Sequence, residues 1–314
     1  MGSVKQIFSW IPDRVDRRLR VIAWVYLAAQ ILLVGTGGLV RLTGSGLGCP
    51  TWPTCTADSL VNTPEMGVHG IIEFGNRLLA VILGLVAILA FVAILRLRRA
   101  RRDLFWLTLL AGFGIPAQAL IGGISVWTGL NPYVVGLHFV ISVVLVTLCA
   151  AFVHRVSTTP GARALAVPRW YAVLAGATAF FAAVTILVGI ITTGSGPHAG
   201  DAHAPRNGLD SELLQHVHSW PAYATFVLTV LLVAFALRRR LPAAGWATLL
   251  LVIELMQIGV GLLQANTGLP PFLVGLHMVL AAALAAATTA VLLNLRQPAL
   301  VAEPRPLRAQ AALR

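Results

Sequence analysis

The sequence predicts an all-α integral membrane protein whose eight transmembrane helices form two pseudo-symmetric four-helix bundles in parallel orientation. Three observations carry that prediction. Eight apolar stretches are each long enough to cross a bilayer, which takes about 20 residues. Of the 314 residues only 11% are charged and 58% are hydrophobic, far from the roughly 25% charged content of soluble domains. Finally, residues 118–138 (QALIGGISVWTGLNPYVVGLH) and 257–277 (QIGVGLLQANTGLPPFLVGLH) agree at ten of 21 positions with a constant offset of 139. One half of the chain therefore repeats the other in the same orientation, as in parallel repeats related by an axis along the membrane normal.

The spans lie near 21–42, 71–95, 104–126, 133–154, 170–193, 212–237, 244–264 and 271–295. Of the 23 Lys and Arg, 20 fall in segments 1–20, 96–102, 155–169, 238–240 and 296–314, all on one side of an eight-span chain. By the positive-inside rule both termini are cytoplasmic and the protein is a multi-pass protein of the cell (plasma) membrane. The net charge of +12 thus belongs to topology, and no nucleic-acid partner is expected. The organisation that follows is a cytoplasmic N-terminus (1–20), a first four-helix half (21–154), a cytoplasmic linker (155–169), a second half (170–295) and a disordered tail rich in Arg, Ala and Pro (296–314). The first twenty residues are too polar for a cleavable signal core, so the first span is expected to stay as an anchor.

Span 1 ends in a glycine-rich run that suits close helix packing. At its outer end Arg41 either snorkels to the headgroups or pairs with an anionic group such as a propionate. The following loop carries Cys49-Pro50-Thr51-Trp52-Pro53-Thr54-Cys55. On the oxidising face such cysteines pair as a disulfide, either as a loop staple or as a redox-active couple. Cys149, within span 4, reads as a small core residue.

Span 2 opens with His69, Glu73, Asn76 and Arg77. Separations of three, four and seven residues place them on one helical face. Four polar groups on one face of a membrane helix do not point at lipid; a Glu73–Arg77 ion pair without chemistry is the structural alternative. His138 lies about two turns into span 4, and His154 at its inner end reads as interfacial. In the second outer loop His198 and His203 read as solvated. His216 and His218 are two apart and face about 200° away from each other, so only one can enter the bundle. Glu254, in mid-span, suits either a proton path or a structural hydrogen bond, and span 8 supplies His277.

Every even-numbered span thus has a histidine near its start: His69, His138, His216 or His218, and His277. Two per half suit two sites, each built by a facing pair of helices. Bis-histidine ligation of a haem iron needs opposed imidazoles of this kind. Zinc fits less well, because a structural zinc site takes four ligands, often with cysteine.

The TGSGLGCPTWPTC loop, the IIEFGNR opening of span 2, the two GLH motifs and the duplicated four-span plan together resemble the heme A synthase family over about residues 20–295. The resemblance implies a haem-dependent membrane oxidoreductase that oxidises a methyl group of heme O to the formyl group of heme A for cytochrome oxidase. It implies a resident haem b on His218 and His277, which relays reducing equivalents, and heme O as substrate near Glu73 and His138. Glu73 would handle protons or stabilise a cationic intermediate, and Cys49 and Cys55 would act in haem transfer or redox exchange. Arg41, Arg77 and Asn76 are candidates for supporting the site or a propionate. The implied partners are a heme O donor (heme O synthase), cytochrome oxidase in assembly and the lipid bilayer; a homo-oligomer is compatible with all of this.

The chain departs from the family in having Asn76 where many members carry histidine three residues after the glutamate. His69, seven residues before Asn76, lies about 10 Å higher along the helix axis. His138 is therefore the firmer ligand of the first half, with His69 its candidate partner. The second outer loop also lacks a cysteine pair. Two rival readings remain at this level. A di-haem electron carrier similar to a cytochrome b561 explains the histidines but leaves Glu73 and the cysteines idle. A quinone-coupled thiol oxidoreductase using Cys49 and Cys55 predicts no bound haem. A repeat-built transporter lacks the broken helices such folds use.

Overall fold

The computed structural model describes residues 11–298, and eight of the helices within them are long and apolar enough to cross a membrane. They are α1 (Arg17–Leu42), α2 (Gly67–Ile94), α3 (Arg102–Trp127), α4 (Pro132–Val156), α5 (Arg169–Ser195), α6 (Ser211–Arg238), α7 (Ala244–Asn266) and α8 (Pro271–Asn294). Each coincides with an expected span and most run a little past its apolar stretch. The cause is capping, since a helix start leaves backbone N–H groups that a side chain can satisfy. Asp16 accepts from the Leu19 N–H at 3.1 Å, and Asp210 accepts from the Leu213 N–H at 2.8 Å. α1 therefore begins within the segment expected to be a cytoplasmic N-terminus. Large apolar side chains such as Leu32, Ile71, Phe113 and Val173 are exposed on the perimeter, where lipid covers them in a multi-pass membrane protein.

Helices α1 to α4 pack in a ring, each on its neighbours with α1 closing on α4, and α5 to α8 do the same. The two rings meet where α8 packs on α1 and α4, and where α4 packs on α5. Their buried cores occupy one end of the helices. In the first ring Tyr26, Leu83, Ala90, Ile94, Val146, Cys149 and Phe152 are buried together; in the second, Tyr171, Leu232, Ala236, Leu250 and Val291 are. The inward histidines lie toward the other end.

The repeated Thr-Gly-Leu turn adopts one conformation in both copies. Gly129 and Leu130 have φ of 60° and 62°, and Gly268 and Leu269 have φ of 77° and 58°. The Leu130 N–H reaches the Ser125 carbonyl at 2.7 Å and the Leu269 N–H reaches that of Gln264 at 2.8 Å, which is the six-to-one bond of a Schellman ending. Proline then starts the next helix at Pro132 and Pro271, where its missing N–H costs nothing. A left-handed leucine costs about 1–3 kcal/mol. Burial of Leu130 between Ala199 and Ala204 offsets this, since burying a leucine gains about 1.5–3 kcal/mol.

Two expectations change at the opposite end. The linker contains a strand, β1 (Arg163–Leu165), paired antiparallel with β2 (Arg296–Pro298). Residues 296–298, assigned to a disordered tail, are thus ordered by backbone pairing that composition does not reveal. The rest of that tail and the first ten residues lie outside the described residues.

Candidate functional site

Three histidines enter the bundle, and each meets a glycine on the preceding helix. A Cβ on Gly122 of α3 would stand 3.4 Å from His138 Cε1, one on Gly189 of α5 would stand 2.8 Å from His218 Cε1, and one on Gly261 of α7 would stand 3.1 Å from His277 Cε1. The glycines make room for imidazoles between helices that any larger residue would fill. In all three rings Nδ1 is buried with no hydrogen-bond partner among the described residues. Repeat-related glutamines brace two of these helices: Gln118 Nε2 donates to the His138 carbonyl at 3.0 Å, and Gln257 Nε2 donates to that of His277 at 3.1 Å.

In the second half, the His218 and His277 rings lie edge-on to each other with centroids 6.3 Å apart and planes at 70°. Two imidazoles ligating one metal ion from opposite sides would have ring centres about 6 Å apart, given metal–nitrogen bonds of about 2 Å and about 1.1 Å from nitrogen to ring centre. The separation of the pair is thus compatible with a shared metal ion between α6 and α8. His216 is exposed, so of the two candidates on α6 it is His218 that enters the bundle.

The first half is built differently. Glu73 on α2 is 6% exposed. Its Oε1 accepts from Arg77 Nη2 at 2.6 Å, and its Oε2 accepts from the Cys49 N–H at 2.6 Å. The Arg77 guanidinium also donates to the carbonyls of Cys49, Thr51 and Thr54 at 3.1–3.2 Å. Cys49 and Cys55 are joined in a disulfide, both fully buried. The short loop they close is thus wrapped around the arginine and pinned to the glutamate. Trp52 at its tip lies against α3, where a Cβ on Gly123 would stand 2.5 Å from Trp52 Cδ2, and stacks edge-on with Trp127 at 5.4 Å. The loop therefore lies over α3 beside Gly122, the residue that receives His138. Asn76 Oδ1 accepts from Thr36 Oγ1 of α1 at 2.8 Å.

Other candidates lie elsewhere. His69 is exposed at the start of α2, with Nδ1 2.9 Å from Ser45 Oγ, and borders a recess of about 460 Å³ with Met66 and Asp201. Arg41 donates from Nε to the His198 carbonyl at 2.6 Å and from Nη2 to that of Thr193 at 2.8 Å, joining the end of α1 to the end of α5 and the segment after it. His198, expected to be solvated, has Nε2 2.8 Å from the Leu269 carbonyl. It is held by the left-handed turn before α8, a contact between segments distant in sequence. His203 is 96% exposed beside Asp201, as expected of a loop histidine. Glu254 is buried and accepts from Thr229 Oγ1 at 2.8 Å. Sequence reasoning missed the Trp52 wedge and the glycine seats. The seats did leave a signal, because Gly122 and Gly261 are matched across the repeat.

Fold and site together define a multi-pass helical membrane protein with a metal-compatible histidine pair in one half and a carboxylate held under a disulfide loop in the other. The chain belongs to the cytochrome oxidase assembly protein family, whose model matches residues 20–289. It is similar to proteins named Heme A synthase. That of Lysinibacillus sphaericus is 36% identical over 131 residues, covering 40% of this chain and 41% of the relative. That of Geobacillus thermodenitrificans is 29% identical over 131 residues, 42% of this chain and 40% of the relative. That of Listeria welshimeri is 30% identical over 151 residues, 47% of this chain and 49% of the relative. In each case the chain spans less than half the length of the curated relative it matches.

Proposed function

We propose that this protein oxidises a methyl group of heme O to the formyl group of heme A, in support of cytochrome oxidase assembly. The observation that carries the proposal is the asymmetry between halves. One half holds two neighbouring imidazoles suited to a permanent haem b, and the other holds one inward histidine, His138, together with the clamped Glu73. A haem held by two protein imidazoles would be suited to electron transfer, whereas a substrate must enter and leave. Haem b, when bound, supplies one-electron transfer at the second half.

The chain's own residues supply the rest. Gly189 and Gly261 seat His218 and His277, and His138, seated on Gly122, is the ligand toward the substrate haem. His69, its candidate second ligand, is exposed at the start of α2 beside Ser45 and would have to turn inward to serve, so His138 is the one inward ligand of this half. Dioxygen is the oxidant that this conversion requires. Each hydroxylation places one oxygen atom on the carbon and reduces the other to water with supplied electrons and protons. Loss of water from the resulting diol leaves the formyl group, so protons must be handled beside the reacting carbon. Glu73, charge-balanced by Arg77 and fixed by the Cys49 N–H, is positioned to accept such a proton or to oppose positive charge developing there. The disulfide loop and Trp52 cover this half and hold the carboxylate in place. The distribution of arginines supports cytoplasmic termini, with both sites toward the outer leaflet.

Co-expression with a heme O source, followed by haem extraction and mass analysis, tests the reading: heme A is expected. Recovery of unconverted heme O alone would return the chain to the electron-carrier class, and a protein with no Soret absorbance would favour thiol chemistry. The glycine seats offer a second test. Gly189→Val is expected to push His218 aside, costing about 1–3 kcal/mol by overpacking and weakening the haem b absorbance, read by thermal unfolding and optical titration.

A further inference from the structure

At the end of the bundle opposite the disulfide loop, a notch of about 300 Å³ opens between the α2–α3 connection and the segment after α4. Arg99, Arg102 and Arg155 line it together with Asp103, Thr159 and Gly161. Asp103 does not neutralise them, because Arg101 takes both of its oxygens, Nε to Oδ1 and Nη2 to Oδ2 at 3.0 Å each. The buried Arg101 also donates to the Arg155 carbonyl at 2.6 Å, which fixes the α4 side of the notch against the α3 side. Among the described residues, the guanidiniums of Arg99 and Arg102 have neither an acid nor a hydrogen-bond acceptor, while Arg155 shares the charge of Asp103 with Arg101. Three guanidiniums, with Arg101 beside them, converge on a concavity that holds one carboxylate, so positive charge is in excess there.

The face of α3 leading away from the notch shows what balances that excess. Arg102, Trp106, Leu110 and Phe113 follow spacings of four, four and three, one side of a helix. The last three are 56%, 54% and 67% exposed. A tryptophan one turn from the arginine marks the depth of the headgroups, with an apolar stripe continuing below it. Positive charge at the inner end of a membrane bundle is general, but a walled notch with more arginines than acids, in line with an apolar track, is a built shape.

We propose that this notch binds the phosphodiester headgroup of an anionic phospholipid, whose acyl chain lies along the Trp106–Phe113 face of α3. Guanidinium–phosphate hydrogen bonds are charge-assisted, and basic pockets between transmembrane helices on the cytoplasmic side suit such headgroups. The bound lipid ties the α2–α3 connection to the end of α4. This holds whatever the protein's reaction, since none of these residues lies near Glu73 or the inward histidines.

The test is native mass spectrometry of the full chain, purified with haem bound, against phosphatidylglycerol, phosphatidylcholine and inorganic phosphate. Wild type is expected to retain phosphatidylglycerol about tenfold better than phosphatidylcholine. The combined variant Arg99→Gln, Arg102→Gln, Arg155→Gln is expected to lose that preference with its haem spectrum intact. Arg98→Gln, outside the notch, is expected to keep it. An unchanged preference in the triple variant would overturn the site. Displacement of the lipid by equimolar inorganic phosphate would overturn its assignment to a lipid.

Discussion

Glu73→Ala is expected to abolish conversion of heme O while the haem b spectrum of the second half persists. The carboxylate is the only acid on the face of α2 that carries Asn76 and Arg77, and both its oxygens are engaged. Loss of a positioned proton acceptor lowers rates by about 10²–10⁴-fold. The alanine variant also leaves the Arg77 charge without its buried partner, a change that costs about 3–5 kcal/mol. Glu73→Gln separates the two effects. Its amide oxygen can still accept one of these bonds, from Arg77 or from the Cys49 N–H, so the loop is expected to stay more stably seated than in the alanine variant while conversion is still lost. Product analysis and thermal unfolding on the same preparations read the two outcomes. A glutamine variant with normal product yield would remove Glu73 from the chemistry and leave it as a loop anchor.

His277→Ala is expected to remove haem b altogether. His277 and His218 are the paired rings of the second half, and neither Nδ1 has another partner among the described residues. Loss of a direct ligand should exceed the about 10–100-fold weakening typical of losing an outer-layer support. The expected readout is loss of the low-spin haem b absorbance with the disulfide loop still oxidised and the protein still inserted. His216→Ala, on the exposed side of the same helix, is expected to leave that absorbance unchanged. Equal losses from both variants would place the ligand elsewhere.

Much of this arrangement is visible in residue order. The eight spans follow from apolar length, whereas the Asp16 and Asp210 caps that start α1 and α6 ahead of the apolar stretch emerge only in the structure. The pairing of Cys49 with Cys55 and of Glu73 with Arg77 also follows, because partners six and four residues apart have few other places to go. Arg41 illustrates the opposite case. Its position at an outer helix end suited a headgroup or a propionate equally, and the structure instead directs it to the His198 and Thr193 carbonyls, more than 150 residues away. His198 was misjudged for the same reason, since its acceptor at Leu269 belongs to another loop.

The limit lies between helix faces and helix partners. Periodicities of 3.6 residues are properties of neighbouring residues, so span count, the face carrying Glu73 and the repeated Gln-to-His stretch are legible without coordinates. Which faces meet depends on how whole helices pack, and that is set by many small side-chain contacts at once. Only packing places His218 rather than His216 opposite His277, seats each inward ring on a glycine of the preceding helix, turns Asn76 to Thr36, and folds the disulfide loop around Arg77.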